Sequence, residues 1–272
     1  MTEKETVERT KTPNTKKTLV NDFTTLGIRS GDVILLHASM SNMGWIAGGP
    51  TAVIEALMDV LTPEGTLVMP AHSGDNSEPS KWGNPPVPET WWQIIRDEMV
   101  PFDPRTTPTR GMGRIAEVFR TYPGVTRSNH PQSSFSAWGK HSDIIAGDHP
   151  LAPALGQTSP LGKVYDLNGK ILLLGVTHES NTSLHLAEYL CSSKPPREVQ
   201  GSAVMEKGVR TWKTWEDIVY GTGDFEQLGN EFEKSTDQFT GKVGLADARL
   251  ISQRQIVDFA VKWFEENREK SG

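Results

Sequence analysis

The chain has 272 residues, of which 36% are hydrophobic and 23% charged, so it can bury a sizeable core and is neither collagen-like nor disordered. Its 28 Lys and Arg against 34 Asp and Glu give a net charge of −6, which argues against generic binding to a nucleic-acid backbone and permits an acidic cleft for a cationic substrate. The single cysteine, Cys191, excludes an intrachain disulfide and, with no signal-peptide core in sight, points to the cytoplasm. The longest apolar runs, Val33 to Leu36 and Ile171 to Leu174, fall far short of the roughly 20 residues of a membrane helix, so no membrane contact is expected.

Residues 1–17 are Thr, Lys and Glu with almost no apolar content, and are expected to form a loose N-terminal arm. The remainder, 18–272, shows no repeat and no linker, and reads as one domain. A short helix through Leu19, Phe23 and Leu26 precedes Val33 to His37, a continuous apolar run typical of a buried strand. A small, Gly-rich stretch, 38–50, leads into a helix over Thr51 to Leu61, and a second buried strand follows at Thr66 to Pro70. This is a strand-helix-strand unit with a parallel pair. A long Pro-rich excursion, His72 to Pro108, is interrupted by a helix near Glu89 to Met99. A helix through Ile115, Val118 and Phe119 follows Arg110-Gly111-Met112-Gly113, and a short helix or turn sits near Asp143 to Ala146. Ile171 to Val176 is a third buried strand, handing over to a helix at Ser183 to Leu190 for which Asn181 or Thr182 is the cap. From Ser193 to Asp247 the pattern weakens, with Trp212, Trp215, Ile218 and Val219 as its best helical signal. The last helix starts at Ser252, with Gln255 three residues on.

Two strands thus deliver a histidine, His37 and His178, at or just past their carboxyl ends, the edge where open α/β sheets bind ligands. Around His178 lies the densest polar constellation: Glu179 is adjacent, and His185, Glu188 and Tyr189 share one face of the next helix. The competing reading is a polar loop that only supplies helix caps. No H-E-x-x-H pattern exists and a lone Cys removes thiolate zinc sites, so no metal is expected. Cys191 ends a helix with no base beside it and reads as inert. The loop after His37 lacks a Walker or G-x-G-x-x-G pattern, but its backbone N–H groups suit an anion or a carbonyl oxygen.

Taken together, HASMSNMGWIAGGPTAVIEAL, GTLVMP, GMGRIAEVFR, RSNHPQSSFSAWG and LLLGVTHESNTSLHLAEYL resemble, in residue type, order and separation, the aminoglycoside N3-acetyltransferases, a non-GNAT family. The match spans roughly Leu19 to Tyr189. The resemblance implies an α/β fold, a central mixed sheet with parallel strand-helix-strand units flanked by helices, and transfer of an acetyl group from acetyl-CoA to the 3-amino group of a 2-deoxystreptamine antibiotic. It implies His178, in Gly175-x-x-His178, as general base, with Glu179 or Glu188 orienting it. The family pattern often has Asp where this chain has Glu179. The segment His37, Ala38, Ser39, Met40, Ser41, Asn42 and Met43 is expected along the thioester and pantetheine arm, and Arg110, Met112, Ser128 and His130 near the rest of the coenzyme. Coenzyme A and a cationic small-molecule amine are the expected partners, with no metal. Asp75, Glu78, Asp217 and Asp224 are weighed as contacts for the ammonium groups, against solvated surface. The alternatives kept open are another amine as acceptor, an acyl-CoA-binding protein with little transfer, and a thioester hydrolase.

Overall fold

A computed structural model describes residues 2–192 and 195–268. In chain order the elements are α1 (Glu3–Arg9), α2 (Lys16–Leu26), β1 (Val33–Ala38), α3 (Gly49–Leu61), β2 (Thr66–Pro70), α4 (Glu89–Glu98), α5 (Gly113–Phe119), β3 (Thr126–Arg127) and β4 (Phe135–Gly139). There follow α6 (Ser142–Ala146), α7 (Pro160–Asp166), β5 (Lys170–Leu174), α8 (Ser183–Leu190), β6 (Arg197–Glu206), β7 (Val209–Ile218), α9 (Phe225–Ser235), β8 (Phe239–Val243), β9 (Ala246–Ser252) and α10 (Gln253–Asn267). Among the described residues, seven strands form one sheet in the order β3-β4-β2-β1-β5-β9-β8, and β6 and β7 pair as a separate hairpin.

The centre of the sheet is parallel because its strands are joined by crossover helices, and its edges are antiparallel. β1 runs parallel to β2 on one side and to β5 on the other, while β4 and β9 pair antiparallel outside them. This is the mixed sheet that the sequence leads one to expect. Strand periodicity sorts the side chains into two cores. Ile34, Leu36, Leu67, Met69, Leu172 and Leu174 face α2, α3 and α5, and Val33, Leu35, Val68, Ile171 and Leu173 face α6 to α10. Each fully buried Leu contributes about 1.5–3 kcal/mol of apolar burial, which is why the central strands are apolar on both faces. His37 shares parity with Val33 and Leu35, so it points to the α8 side.

Two expectations need correction. Residues 1–17 are not an unstructured arm: Thr2 and Glu5 form a reciprocal cap on α1, and Arg9 donates to the carbonyls of Ser41 and Asn42 at 3.1 and 2.8 Å. Asn14 bridges to Ile46, and Thr10 Oγ1 accepts from the Trp45 N–H. The segment is held by polar contacts to the main chain rather than by apolar burial, and hydrophobic content does not register those. Trp212, Trp215 and Ile218 lie on strand β7, not on a helix. Their i, i+3 spacing puts the two indoles on opposite faces of the hairpin, Trp212 over Gly201 and Trp215 edge-on to His130. No helix among the described residues is long and apolar enough to cross a membrane.

Candidate active site

The carboxyl ends of β1 and β5 are neighbours, with His37 opposite Leu173 and Ala38 opposite Leu174. Beyond them the chain is stitched across: the Ser39 N–H donates to the Leu174 carbonyl at 2.9 Å, and Asn42 Nδ2 to the Gly175 carbonyl at 2.7 Å. Gly175 is at φ 67, and a Cβ there would stand 2.8 Å from Cβ of Asn42. A side chain would therefore prise the two loops apart. Between these loops and the start of α5 opens a cleft of 560 Å³, the size of a small-molecule site. His37, Ala38, Ser39, Met40 and Ser41 line one wall, Met112 and Arg114 another, and Glu179, Ser180 and Thr182 a third.

Of the residues expected along the coenzyme, the 37–41 run and Met112 therefore reach the cleft, and the others do not. Asn42 ties Gly175 in place, and Met43 is fully buried in the core. Arg110 pairs with Asp75 and donates to the Asn84 carbonyl. Ser128 and His130 are buried scaffold. Ser128 Oγ accepts from the Phe135 N–H and donates to His149 Nδ1 at 2.8 Å. His130 Nδ1 accepts from the N–H groups of Gln132 and Ser133, so its Nε2 carries the proton donated to the Leu151 carbonyl. Burial lowers its pKa to about 4.

His178 is likewise spoken for. It is 1% exposed, its Nε2 lies 2.9 Å from Glu233 Oε1 on α9, and Gly229 is pressed against its ring so closely that a Cβ would fall 2.0 Å from Cγ. Its main-chain N–H donates to Glu226 at 3.0 Å. Burial lowers its pKa, against the raising effect of Glu233. Neither of the carboxylates expected beside it makes contact: Glu179 is exposed on the cleft wall, and Glu188 serves another histidine. A base needs a free nitrogen, and His178 offers none: Nε2 is held by Glu233, and Nδ1 lies 3.5 Å from Asn181 Nδ2.

His185 does. Its Nδ1 lies 2.6 Å from Glu188 Oε2, three residues on in the same helix, so the carboxylate accepts from Nδ1–H and leaves Nε2 with the lone pair. Among the described residues the only hydrogen bond of the ring is the one at Nδ1, and the side chain keeps 10% exposure. Tyr220 and Phe225 flank the ring at 4.9 Å between centroids. Glu188 is fully buried; its other oxygen accepts from Arg268 Nη1 at 2.6 Å and from the Gly221 N–H at 3.2 Å. Burial works against the Arg268 cation, but its bonds to Asp224 and Glu188 outweigh that and raise its pKa.

His37 and His72 complete the group. Burial, reinforced by the neighbouring His185, takes each down to about 3, so both are neutral at physiological pH. His37 Nε2 stands 3.4 Å from the hydroxyl of Thr182, which lines the cleft. The sequence reading singled out neither His72, Arg268 nor Glu233, because they reach the site from distant parts of the chain. Among the described residues no group of three His, Cys, Asp or Glu is arranged to hold a metal ion. Cys191 is buried.

The chain as a whole matches a known family. The profile of the aminoglycoside 3-N-acetyltransferases matches residues 35–265. The chain belongs to that family. It is 46% identical over 271 residues to the SPbeta prophage-derived aminoglycoside N(3′)-acetyltransferase-like protein YokD of Bacillus subtilis (strain 168), covering 98% of each chain. It is 36% identical over 261 residues to aminoglycoside N(3)-acetyltransferase III of Pseudomonas aeruginosa, covering 93% of this chain and 94% of that one. The crystal structure of YokD superposes with a TM-score of 0.96 over 99% of this chain and 100% of that one. AAC-IIIb, solved in binary complex with CoASH, gives 0.84 at 29% identity over 96% and 99% of the two chains. AAC-VIa, solved bound to sisomicin, gives 0.85 at 30% identity over 94% and 98%. Like its relatives, this aminoglycoside N3-acetyltransferase family member is an N-acetyltransferase.

Proposed function

We propose that this chain transfers the acetyl group of acetyl-CoA to the 3-amino group of a 2-deoxystreptamine aminoglycoside, with His185 as general base. The observation that carries the reading is the His185 ring itself, its Nδ1 locked to Glu188 and its Nε2 unclaimed, behind a cleft lined by the 37–41 turn. The attacking amine forms a C–N bond to the thioester carbon while Nε2 removes its proton. The imidazolium so formed is stabilised by Glu188, as a buried carboxylate stabilises the imidazolium of other acyl-transfer sites. The oxyanion falls to donors of the 39–41 turn, where the Ser39 and Ser41 hydroxyls lie 3.2 Å apart. Collapse breaks the C–S bond, and the thiolate leaves with the proton that His185 returns. Support for the coenzyme comes from AAC-IIIb with CoASH, and for the acceptor class from AAC-VIa with sisomicin.

One observation favours a second acceptor reading, a smaller amine. All four acidic residues weighed for the ammonium groups have internal partners: Asp75 with Arg110, Glu78 with Arg96, Asp224 with Arg268, and Asp217 with Tyr189 and the Ala154 N–H. Amine-dependent release of free thiol from acetyl-CoA, measured across a panel of deoxystreptamine aminoglycosides and small primary amines, decides between the two. Release with the aminoglycosides supports the first; release with small amines alone overturns it.

A further inference from the structure

The last described residue of the chain, Arg268, ends α10 some 80 positions from Glu188, yet its guanidinium is wedged between two carboxylates. Nη1 donates to Glu188 Oε1 at 2.6 Å, while Nε and Nη2 grip Asp224 at 2.6 and 2.7 Å in the two-pronged geometry that only a planar fork provides. Nη2 also donates to the Gly221 carbonyl at 3.2 Å, and the Phe264 ring lies 3.6 Å beneath the guanidinium carbon. The result is a continuous line of contacts: Asp224, Arg268, Glu188, His185.

Resting on the reading of His185 as base, we infer that Arg268 is a positioning residue that fixes the charge and direction of the Glu188 carboxylate and so sets how tightly the His185–Glu188 pair holds a proton. Glu188 is fully buried, and a carboxylate stripped of water stays ionised only beside a cation or several donors. Without Arg268 the described partners of Oε1 reduce to the Gly221 N–H. The sign of the effect does not depend on which member of the pair carries the proton. The deprotonated pair is an anion and the protonated pair is neutral, so removing an adjacent cation favours protonation. The other groups around the pair do not supply a substitute: from β1 comes His37, from the segment after β2 His72, both neutral, and from the segment after β7 Tyr220, with Asp217 behind it. Asp224, at the start of α9, faces the far side of Arg268.

The test is a pH titration of the histidine ring signals in protein labelled with ¹⁵N-histidine, the His185 resonance being assigned from H185A. R268Q is expected to move the His185 midpoint upward by about one to two pH units. R268M, which keeps an apolar stem over Phe264, should do the same, and R268K, which keeps the charge, should stay nearer the wild type. Midpoints unmoved in R268Q and R268M, or moved as far in R268K, overturn the inference. Thiol release by H185A separates the two layers: normal turnover there removes the reading of His185 as base, whereas a dead H185A with unmoved titrations removes the role of Arg268 alone.

Discussion

Glu188 accepts from His185 at 2.6 Å across a single turn of α8, while His178, seven residues earlier, is held at 2.9 Å by Glu233 of α9. Two histidines of one motif thus answer to two different carboxylates. One ring is boxed in on all sides; the other keeps a free nitrogen and neighbours His37, which itself lines the cleft. On this arrangement His185→Ala is expected to lower kcat by about 10²–10⁴-fold with a smaller change in KM for acetyl-CoA. Glu188→Gln should lower kcat in the same direction, since its amide can no longer stabilise the imidazolium. Steady-state kinetics of both variants check this.

The Gly229 contact makes a stability prediction. A methyl group there would meet the His178 ring at 2.0 to 2.6 Å, so Gly229→Ala should destabilise the fold by about 1–3 kcal/mol through overpacking. In the double variant with His178→Ala the ring contacts at 2.0 and 2.2 Å are gone and only the 2.6 Å approach to Cβ of residue 178 remains, so the two costs should not add. Urea denaturation of the four proteins in the cycle measures the coupling; strict additivity would show that the ring and the helix do not press on each other.

Gly175 tests the loop that frames the cleft. Gly175→Ala forces a side chain into a left-handed backbone conformation and against Asn42, at a cost of about 1–3 kcal/mol. Because Asn42 follows the 37–41 wall directly, KM for acetyl-CoA should rise more than kcat falls. Calorimetric binding of coenzyme A to the variant is the check.

The buried histidines give stability a pH dependence. His37 and His72 titrate near 3 and His130 near 4 in the folded chain, below their ordinary value of about 6.5 in the unfolded chain. Between those limits the unfolded state binds more protons, so stability falls as pH drops from about 6.5 towards 3. Above about 7 these three groups contribute no slope. Thermal midpoints between pH 7.5 and 4.5 should therefore decline on the acid side, and replacing His72 by Asn should flatten the decline.

Much of this architecture is legible in the sequence because it rests on local periodicity. Val33 to Leu36 and Ile171 to Leu174 are apolar at every position, which only a strand buried on both faces requires, and their carboxyl ends mark the cleft. The residues of the 37–41 turn are adjacent in sequence and stay together in space. What could not be read is whatever depends on long-range closure. Arg268 and Glu188 are 80 positions apart, and Glu233 reaches His178 across 55, so no spacing rule links them. His178 and His185 look alike as neighbours in a motif; the long-range contacts of the first, Glu233 on its Nε2 and Gly229 against its ring, separate them. The i, i+3 indoles of β7 misled for the converse reason, since three residues is also the distance that takes a strand from one face to the other.

The most direct test of the central claim compares free-thiol release from acetyl-CoA, with and without deoxystreptamine aminoglycosides, in the wild type, His185→Ala and His178→Ala. Both variants are first shown to be folded by their near-UV spectra. The account predicts amine-dependent release that is lost in His185→Ala and kept in His178→Ala, the latter less stable by about 2–4 kcal/mol. Near-normal release by a folded His185→Ala, with loss in His178→Ala, would contradict it.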